Sequence, residues 1–351
     1  MRSPTARGVL TLAVGAAGGL AFLALNLPLP WILGSLSATA LWTRIGGRAL
    51  SMPAGWRKFA MVMIGTMLGT GFTPDIISRA HSWLPSLMLM LVLSALFAGF
   101  AYAVFRRFGH MDRNTALFSA MPGGLSVTSL LAEQNGANVS RVALSHSARL
   151  VVLLVLAPVI IQLISGIDLA DANGAMFERA EPIDPWQHGL LMLAAGLSWL
   201  IARRMIFLPS AMLLVPMAVS ALLHLTGVLA VHVPLPLSAL AQVIVGAGVG
   251  LRFAGYTLRE ILHDGWLAAL VALGLALMTL LAAETMSWLI GVPAAPLFLA
   301  YLPGGAPELG IVALILGIDP AMVVTHHVLR IFTIVALLPL IVRLGDRRQH
   351  H

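Results

Sequence analysis

Apolar residues along this chain come in long runs, and the polar interruptions between the runs recur in a fixed order. In the first half the runs fall at about 8–26, 29–45, 57–73, 83–105, 115–134 and 141–164. In the second they fall at about 187–202, 208–229, 236–251, 265–290, 295–317 and 321–342. Runs near 20 residues read as membrane-spanning helices. Between the halves, residues 166–185 hold Asp168, Asp171, Glu178, Glu181 and Asp184, the one polar stretch long enough to be a linker. The expected organisation is a first membrane repeat at 1–165, an acidic external linker at 166–185 and a second membrane repeat at 186–351.

The halves are copies of one another at an offset of 181 positions. Pro53, Gly65, Gly69 and Phe72 recur without a gap as Pro234, Gly246, Gly250 and Phe253. In the same register Pro122-Gly123-Gly124 recurs as Pro303-Gly304-Gly305, Gly136 as Gly317, His146 as His327, Arg149 as Arg330 and Pro158 as Pro339. Leu and Ala coincide in any two membrane segments, but two Pro-Gly-Gly triplets with a His and an Arg in register mark a duplication.

Composition supports lipid as the solvent. Hydrophobic residues make up 59% of the chain and charged residues 10%, with a mean hydropathy of +0.93. Globular proteins carry about 25% charged residues, so a soluble fold could not cover this much apolar surface. The net charge of +7 does not imply nucleic acid, because the basic residues stand singly or in pairs at the ends of apolar runs, as topology determinants do. Cysteine is absent, which excludes disulfides, thiolate metal sites and thiol catalysis. Arg2 and Arg7 precede an apolar run and imitate a secretory signal, but the matching run at 190–201 opens the second repeat, so the first run reads as a structural span.

Charge also predicts topology. If the fifth run of each half enters and leaves on one side, each half crosses the membrane five times. Seventeen of the 21 basic residues then face the cytoplasm, Arg79 and Arg179 lie outside, and Arg149 and Arg330 fall within spans. Twelve straight crossings fit the positive-inside rule less well. Five crossings per half invert the second repeat, and basic flanks accordingly meet uncharged positions: Arg57 and Lys58 match Ser238 and Ala239, and Arg106 and Arg107 match Ser287 and Trp288. The expected fold is all-α and membrane-integral, with two inverted repeats of about five crossing helices plus one broken or re-entrant Pro-Gly-Gly segment each.

The triplets carry the chemistry. Proline lacks an amide donor and paired glycines favour non-helical backbone, so helices should break at Met121–Gly124 and Leu302–Gly305. Broken segments in matching places of inverted repeats point to a solute site near the midplane; close helix packing is the plainer alternative. Arg149 and Arg330 lie roughly 14 to 15 Å into their spans at 1.5 Å per residue, near the middle of a core about 30 Å thick. His146 and His327 share their helix faces three residues earlier. Amides after Gly124 and Gly305 open helix N-termini that favour anions, and an arginine fork suits a carboxylate. Ser126, Thr128 and Ser129 add hydroxyls in the first half, whereas the matching stretch carries Pro307 and Glu308. Glu133, Glu284 and Glu308 are candidate proton or ion carriers, or counter-ions to the arginines. His326 and His327 are adjacent and so lack the i, i+4 spacing of helical metal ligands; no metal, cofactor or catalytic residue is expected.

The stretch from Ala120-Met121-Pro122-Gly123-Gly124 through His146 and Arg149, with its copy from Leu302-Pro303-Gly304-Gly305 through His327 and Arg330, resembles the AbrB family of duplicated bacterial inner-membrane proteins. The resemblance covers nearly the whole chain. It implies a helical fold in the bacterial inner membrane; family labels of ammonia monooxygenase or regulator of gene expression leave mechanism open. The architecture is also similar to transporters of the sodium/proton antiporter and bile-acid symporter type, an analogy at the level of fold. The resulting expectation is a multi-pass protein with cytoplasmic termini. It would be a secondary transporter of a small, anionic organic solute driven by protons or sodium, with lipid as its other partner and a homodimer left open. A membrane-embedded ligand sensor is the alternative, and a membrane monooxygenase the least favoured reading.

Overall fold

The computed structural model describes residues 4–45, 49–121, 125–169, 184–205 and 207–347, and at 4, 125–127 and 338–347 the backbone alone. Regular structure among these residues is helical throughout. The first half contains α1 (Pro4–Ala24), α2 (Ser35–Arg44, entered through a π-helical turn at Pro30–Gly34), α3 (Ala54–Gly69), α4 (Leu84–Arg107), α5 (Arg113–Ala120), α6 (Leu125–Gln134) and α7 (Val139–Ser165). The second contains α8 (Pro185–Ala202), α9 (Ala211–Leu225), α10 (Leu235–Gly250), α11 (Leu258–Ile290), α12 (Ala294–Tyr301), α13 (Ala306–Ile315) and α14 (Pro320–Arg347). The expected linker at 166–185 lies outside the described residues except at its two ends.

The duplication reaches the backbone. Shifting α3, α5 and α6 by 181 positions reproduces both ends of α10, α12 and α13. Positive φ recurs in the same register at Leu29 and Ser210, at His110 and Gly291, and at Gly136 and Gly317. The last pair closes α6 and α13. Ala137 donates to the Ala132 carbonyl and Ile318 to the Ala313 carbonyl, both at 2.9 Å, a Schellman closure that needs a left-handed residue, hence glycine, just before.

Six helices among the described residues are long and apolar enough to cross a membrane, including Ile76–Arg107, Val139–Ser165 and Leu258–Ile290. That is fewer than about five per half. Helices α3 and α9 contain 16 and 15 residues, or roughly 24 and 22 Å at 1.5 Å per residue, short of a core about 30 Å thick. Large apolar side chains point outward, as at Leu163 (79% exposed) and Trp288 (84%), while Thr39, Thr66, Ser198, Ser220 and Gln242 are buried. Polar groups turned inward and leucines turned outward suit an apolar solvent.

The chain divides into two compact units. The first comprises Met1–His81, Leu154–Thr257 and Pro307–Ala321. Here the repeats exchange partners. A Cβ at Gly65 on α3 would collide with the Leu213 carbonyl of α9, and one at Gly246 on α10 would meet the Ile32 carbonyl before α2. Gly69 and Gly250 repeat the pattern against the carbonyls of Met217 and Leu36. Ser220 donates to the Thr66 carbonyl at 2.8 Å, and its counterpart Thr39 is 3.5 Å from the Ala247 carbonyl. Each contact of i on j+181 returns as i+181 on j, the self-complementary pattern a two-fold axis produces. Arg57 and Met61 near the start of α3 line a cavity with Val249 at the end of α10 and Arg252 just after it.

The second unit comprises Ser82–Leu153, Leu258–Ala306 and Met322–His351. The side chain of Asn114, near the start of α5, donates to the Asn135 carbonyl just after α6 at 2.8 Å. The Asn138 amide donates to Thr115 Oγ1 at 2.8 Å, and Phe118 packs with Ala132 and Val142. The beginning of α5 is thereby tied to the end of α6, as in a hairpin. Asp112 caps α5 by accepting from the Thr115 amide at 2.9 Å. Burial would raise the Asp112 carboxyl, but hydrogen bonds from Thr115 and Asn114 outweigh it and hold the group below its ordinary value. Arg141, read above only as a topology determinant, forms a two-point pair with Asp264 through Nε at 3.1 Å and a terminal nitrogen at 2.7 Å.

The glycine contacts yield a stability test. Gly65→Ala and Gly246→Ala each force a side chain against a backbone carbonyl and should cost about 1 to 3 kcal/mol, the scale of overpacking. Gly99→Ala, in α4 with nothing within 4 Å of the added Cβ, should be neutral or stabilise by about 0.4 to 1 kcal/mol through helix propensity. Melting temperatures of the three purified variants check the contrast.

Candidate functional site

Both expected helix breaks are present. Helix α5 stops at Ala120 and α12 at Tyr301, and the next residues share one extended conformation: Met121 at φ −58°, ψ 127° and Leu302 at φ −57°, ψ 124°. Pro122, Gly123 and Gly124 lie outside the described residues, as does the Ser126 side chain. In the second repeat Pro303 is buried, whereas Gly304 and Gly305 keep partial exposure. The Gly304 amide donates back to the Leu302 carbonyl at 2.9 Å, and α13 resumes at Ala306. The four short helices have 8 or 10 residues each, roughly 12 to 15 Å at 1.5 Å per residue, so none spans a bilayer alone.

A helix ends with carbonyls that have no intrahelical partner, and in an apolar surrounding each needs a donor. Arg149 and Arg330 supply them. Arg149, 5% exposed, donates to the carbonyls of Ser119 at 3.2 Å and Met121 at 2.9 Å. Arg330, 2% exposed, donates to those of Tyr301 at 3.3 Å, Leu302 at 3.0 Å and Gly304 at 3.2 Å. A cation at the negative end of each helix dipole is also favourable. The fork that the sequence suggests for a carboxylate is therefore engaged, in this structure, with the backbone of the breaks.

The histidines complete the same motif. His146 Nε2 donates to the Phe118 carbonyl at 2.9 Å and its Nδ1 accepts from Arg149 at 3.1 Å. His327 Nε2 donates to the Leu299 carbonyl at 2.9 Å and its Nδ1 accepts from Arg330 at 3.3 Å. Only the neutral ring with its hydrogen on Nε2 satisfies both contacts. These rings orient the guanidinium groups.

Arg149 and Arg330 are both buried, and their hydrogen-bond partners among the described residues are neutral. Three buried polar atoms in the elements that hold the breaks, Ser119 Oγ, Ser145 Oγ and Arg330 Nε, have no hydrogen-bond partner among the described residues. Orphaned donors beside a broken helix mark a place where a ligand or water belongs.

The candidate carboxylates separate. Glu133 and Glu284 occupy exposed helix faces. Glu308 is 5% exposed and, on α13, lines a cavity with Arg57 and Arg252 in the first unit. No group of three or more His, Cys, Asp or Glu among the described residues is arranged to hold a metal ion.

One cluster is not apparent from the sequence. His326 Nδ1 donates to the Met322 carbonyl at 2.8 Å, leaving Nε2 to accept from Ser86 Oγ at 2.8 Å. Ser86 in turn accepts from the Tyr301 hydroxyl at 2.8 Å. The counterparts at the 181 offset are Ser145, Leu267 and Ala120, so this chain pins the end of α12 in one repeat alone. The only signal was the mismatch of Tyr301 with Ala120 immediately before the paired breaks.

Comparison with known proteins agrees with the architecture. The chain is 26% identical over 360 residues to the Bacillus subtilis protein "Uncharacterized protein YhjN", covering 95% of this chain and 91% of that one. It is 26% identical over 330 residues to the Escherichia coli protein "Putative regulator AbrB", covering 92% and 91%. The family model described as "Transition state regulatory protein AbrB" matches residues 31–345. With the match extending over nearly all of both repeats, the chain belongs to the AbrB family.

Proposed function

We propose that this protein is a secondary transporter of a small, anionic organic solute, driven by protons or sodium, in the bacterial inner membrane. The observation that carries the sign of the solute is the burial of two guanidinium groups, one from each repeat, at the two helix breaks. Their partners are carbonyls and neutral imidazoles, so among the described residues the two positive charges have no bonded carboxylate. A buried charge of this kind is costly unless compensated, and an anionic solute compensates it. The arginines contribute field and hold the breaks open, while amides and orphaned hydroxyls at the breaks contribute direct contacts. Pro122, Gly123, Gly124, Ser126, Pro303, Gly304 and Gly305 form the backbone cradle in this reading.

Two features support inverted repeats. The start of α3 lies beside the end of its counterpart α10, as in an antiparallel pair, and a two-fold axis relating antiparallel helices crosses them and so lies in the plane of a membrane they traverse. The tie between the start of α5 and the end of α6 supports a re-entrant first break, and an odd number of crossings follows. Both termini are then cytoplasmic. A second reading, a membrane-embedded ligand sensor, draws on the name of the Escherichia coli relative. Net solute flux in proteoliposomes separates the two, since a sensor binds without transport.

A melting screen against small mono- and dicarboxylates tests the site. A cognate anion should stabilise the protein, and Arg149→Lys or Arg330→Lys should weaken its binding by about 1 to 3 kcal/mol, the scale of a charge-assisted hydrogen bond. Full affinity in both variants with only stability reduced would confine the arginines to capping the breaks and refute the anion site. Topology has an independent test. The chain lacks cysteine, so single cysteines placed in the 168–184 segment report their side directly. Labelling from the external face alone is expected, and labelling from the cytoplasmic face would overturn the inverted arrangement.

A further inference from the structure

Within the first unit, a cavity of about 30 Å³ is lined by Glu308, Arg57, Arg252, Met61, Ile244, Val245, Gly248 and Val249. A cavity needs roughly 10 to 15 Å³ on this measure to hold a water molecule, so this one has room for water. Glu308 sits in the first turn of α13, just after the Pro303-Gly304-Gly305 break, and is 5% exposed. Arg57 comes from the start of α3 and Arg252 from the turn after α10. These are the charged groups that act on the carboxyl, yet none of the ion pairs among the described residues includes Glu308. Glu308 and the two arginines thus line one cavity with room for water, and no salt bridge among the described residues joins them.

We propose that Glu308 is the proton-binding site of the transport cycle, with Arg57 and Arg252 as the fixed charges that set when the proton binds. This inference rests on the transporter reading and names its coupling ion. A carboxylate buried without a closed ion pair is expensive; binding a proton neutralises it, and a water in the cavity can link either form to the guanidinium groups. A metal cation fits poorly. Hard cations require several oxygen ligands, whereas this cavity presents one carboxyl, two positive charges and otherwise apolar side chains or glycine. The trio also stands outside the duplicated framework. Its counterparts at the 181 offset are Val127, Ser238 and Gly71, so the charges are not needed to build a repeat.

Proton binding can be read without knowing the solute. Infrared difference spectra of the full-length protein in lipid nanodiscs, recorded across the pH range in which it is folded, should show a protonated-carboxyl C=O band. Glu308→Gln should abolish that band, Glu308→Asp should retain one at a changed frequency, and Arg252→Gln should move the pH of its appearance by about one unit or more, the effect of a nearby charge. Absence of any Glu308-dependent band, or of a band in a folded Glu308→Asp variant, would overturn the proposal. Loss of the band on replacing potassium with sodium at constant pH would overturn it in favour of a metal-cation site. None of these readings uses flux, so a negative result leaves the transporter proposal standing with another coupling ion, while failed transport with a titrating Glu308 overturns the transporter reading and leaves Glu308 a proton site without a transport role.

Discussion

The breaks in α5–α6 and α12–α13 depend on finding donors for carbonyls that a continuous helix would have satisfied itself. In water the solvent would serve. In a chain whose surface is this apolar, the donors must come from protein, and a guanidinium is the side chain that reaches two or three carbonyls at once. Arg149 and Arg330 do this in the same geometry, each steadied by a histidine one turn earlier. Proline and glycine open the helix, arginine makes the opening tolerable, and histidine fixes the arginine. The four residue types form one device, used twice.

That device was visible in the sequence because each part is chemically uncommon inside a membrane segment. The triplets and the His-x-x-Arg pairs align at one offset, and the elements end where the triplets require. The target of the arginines was not visible. Spacing along a helix gives depth and face, but whether a fork meets a carboxylate or a carbonyl depends on which neighbouring segment stops beside it. Arg57 and Arg252 were hidden for a related reason. Each stands at the end of an apolar run and satisfies the positive-inside pattern, so nothing local distinguishes a topology determinant from the wall of a cavity. The Ser86–Tyr301–His326 chain draws on three separate elements, and only the fold brings them together.

The repeats share a backbone and differ in chemistry. Positive φ values, helix ends and arginine contacts recur, whereas Tyr301, His326 and Glu308 have Ala120, Ser145 and Val127 as counterparts. Duplication supplies two openings, and divergence makes them unequal. An inequality of this kind is required of any cycle in which one opening must respond to an ion and the other must not.

The exchanged glycine contacts also bear on how the chain is made. Gly65 and Gly69 of α3 are shaped to receive the backbone of α9, not that of their own half, and the hydrogen bond joining Thr66 to Ser220 spans 154 residues. While the first half is being synthesised, this glycine face of α3 has no matching partner. In a half-made chain the backbone of α9 is not yet there to fill it. The first compact unit draws on both halves, so its closest packing is complete only when both are present.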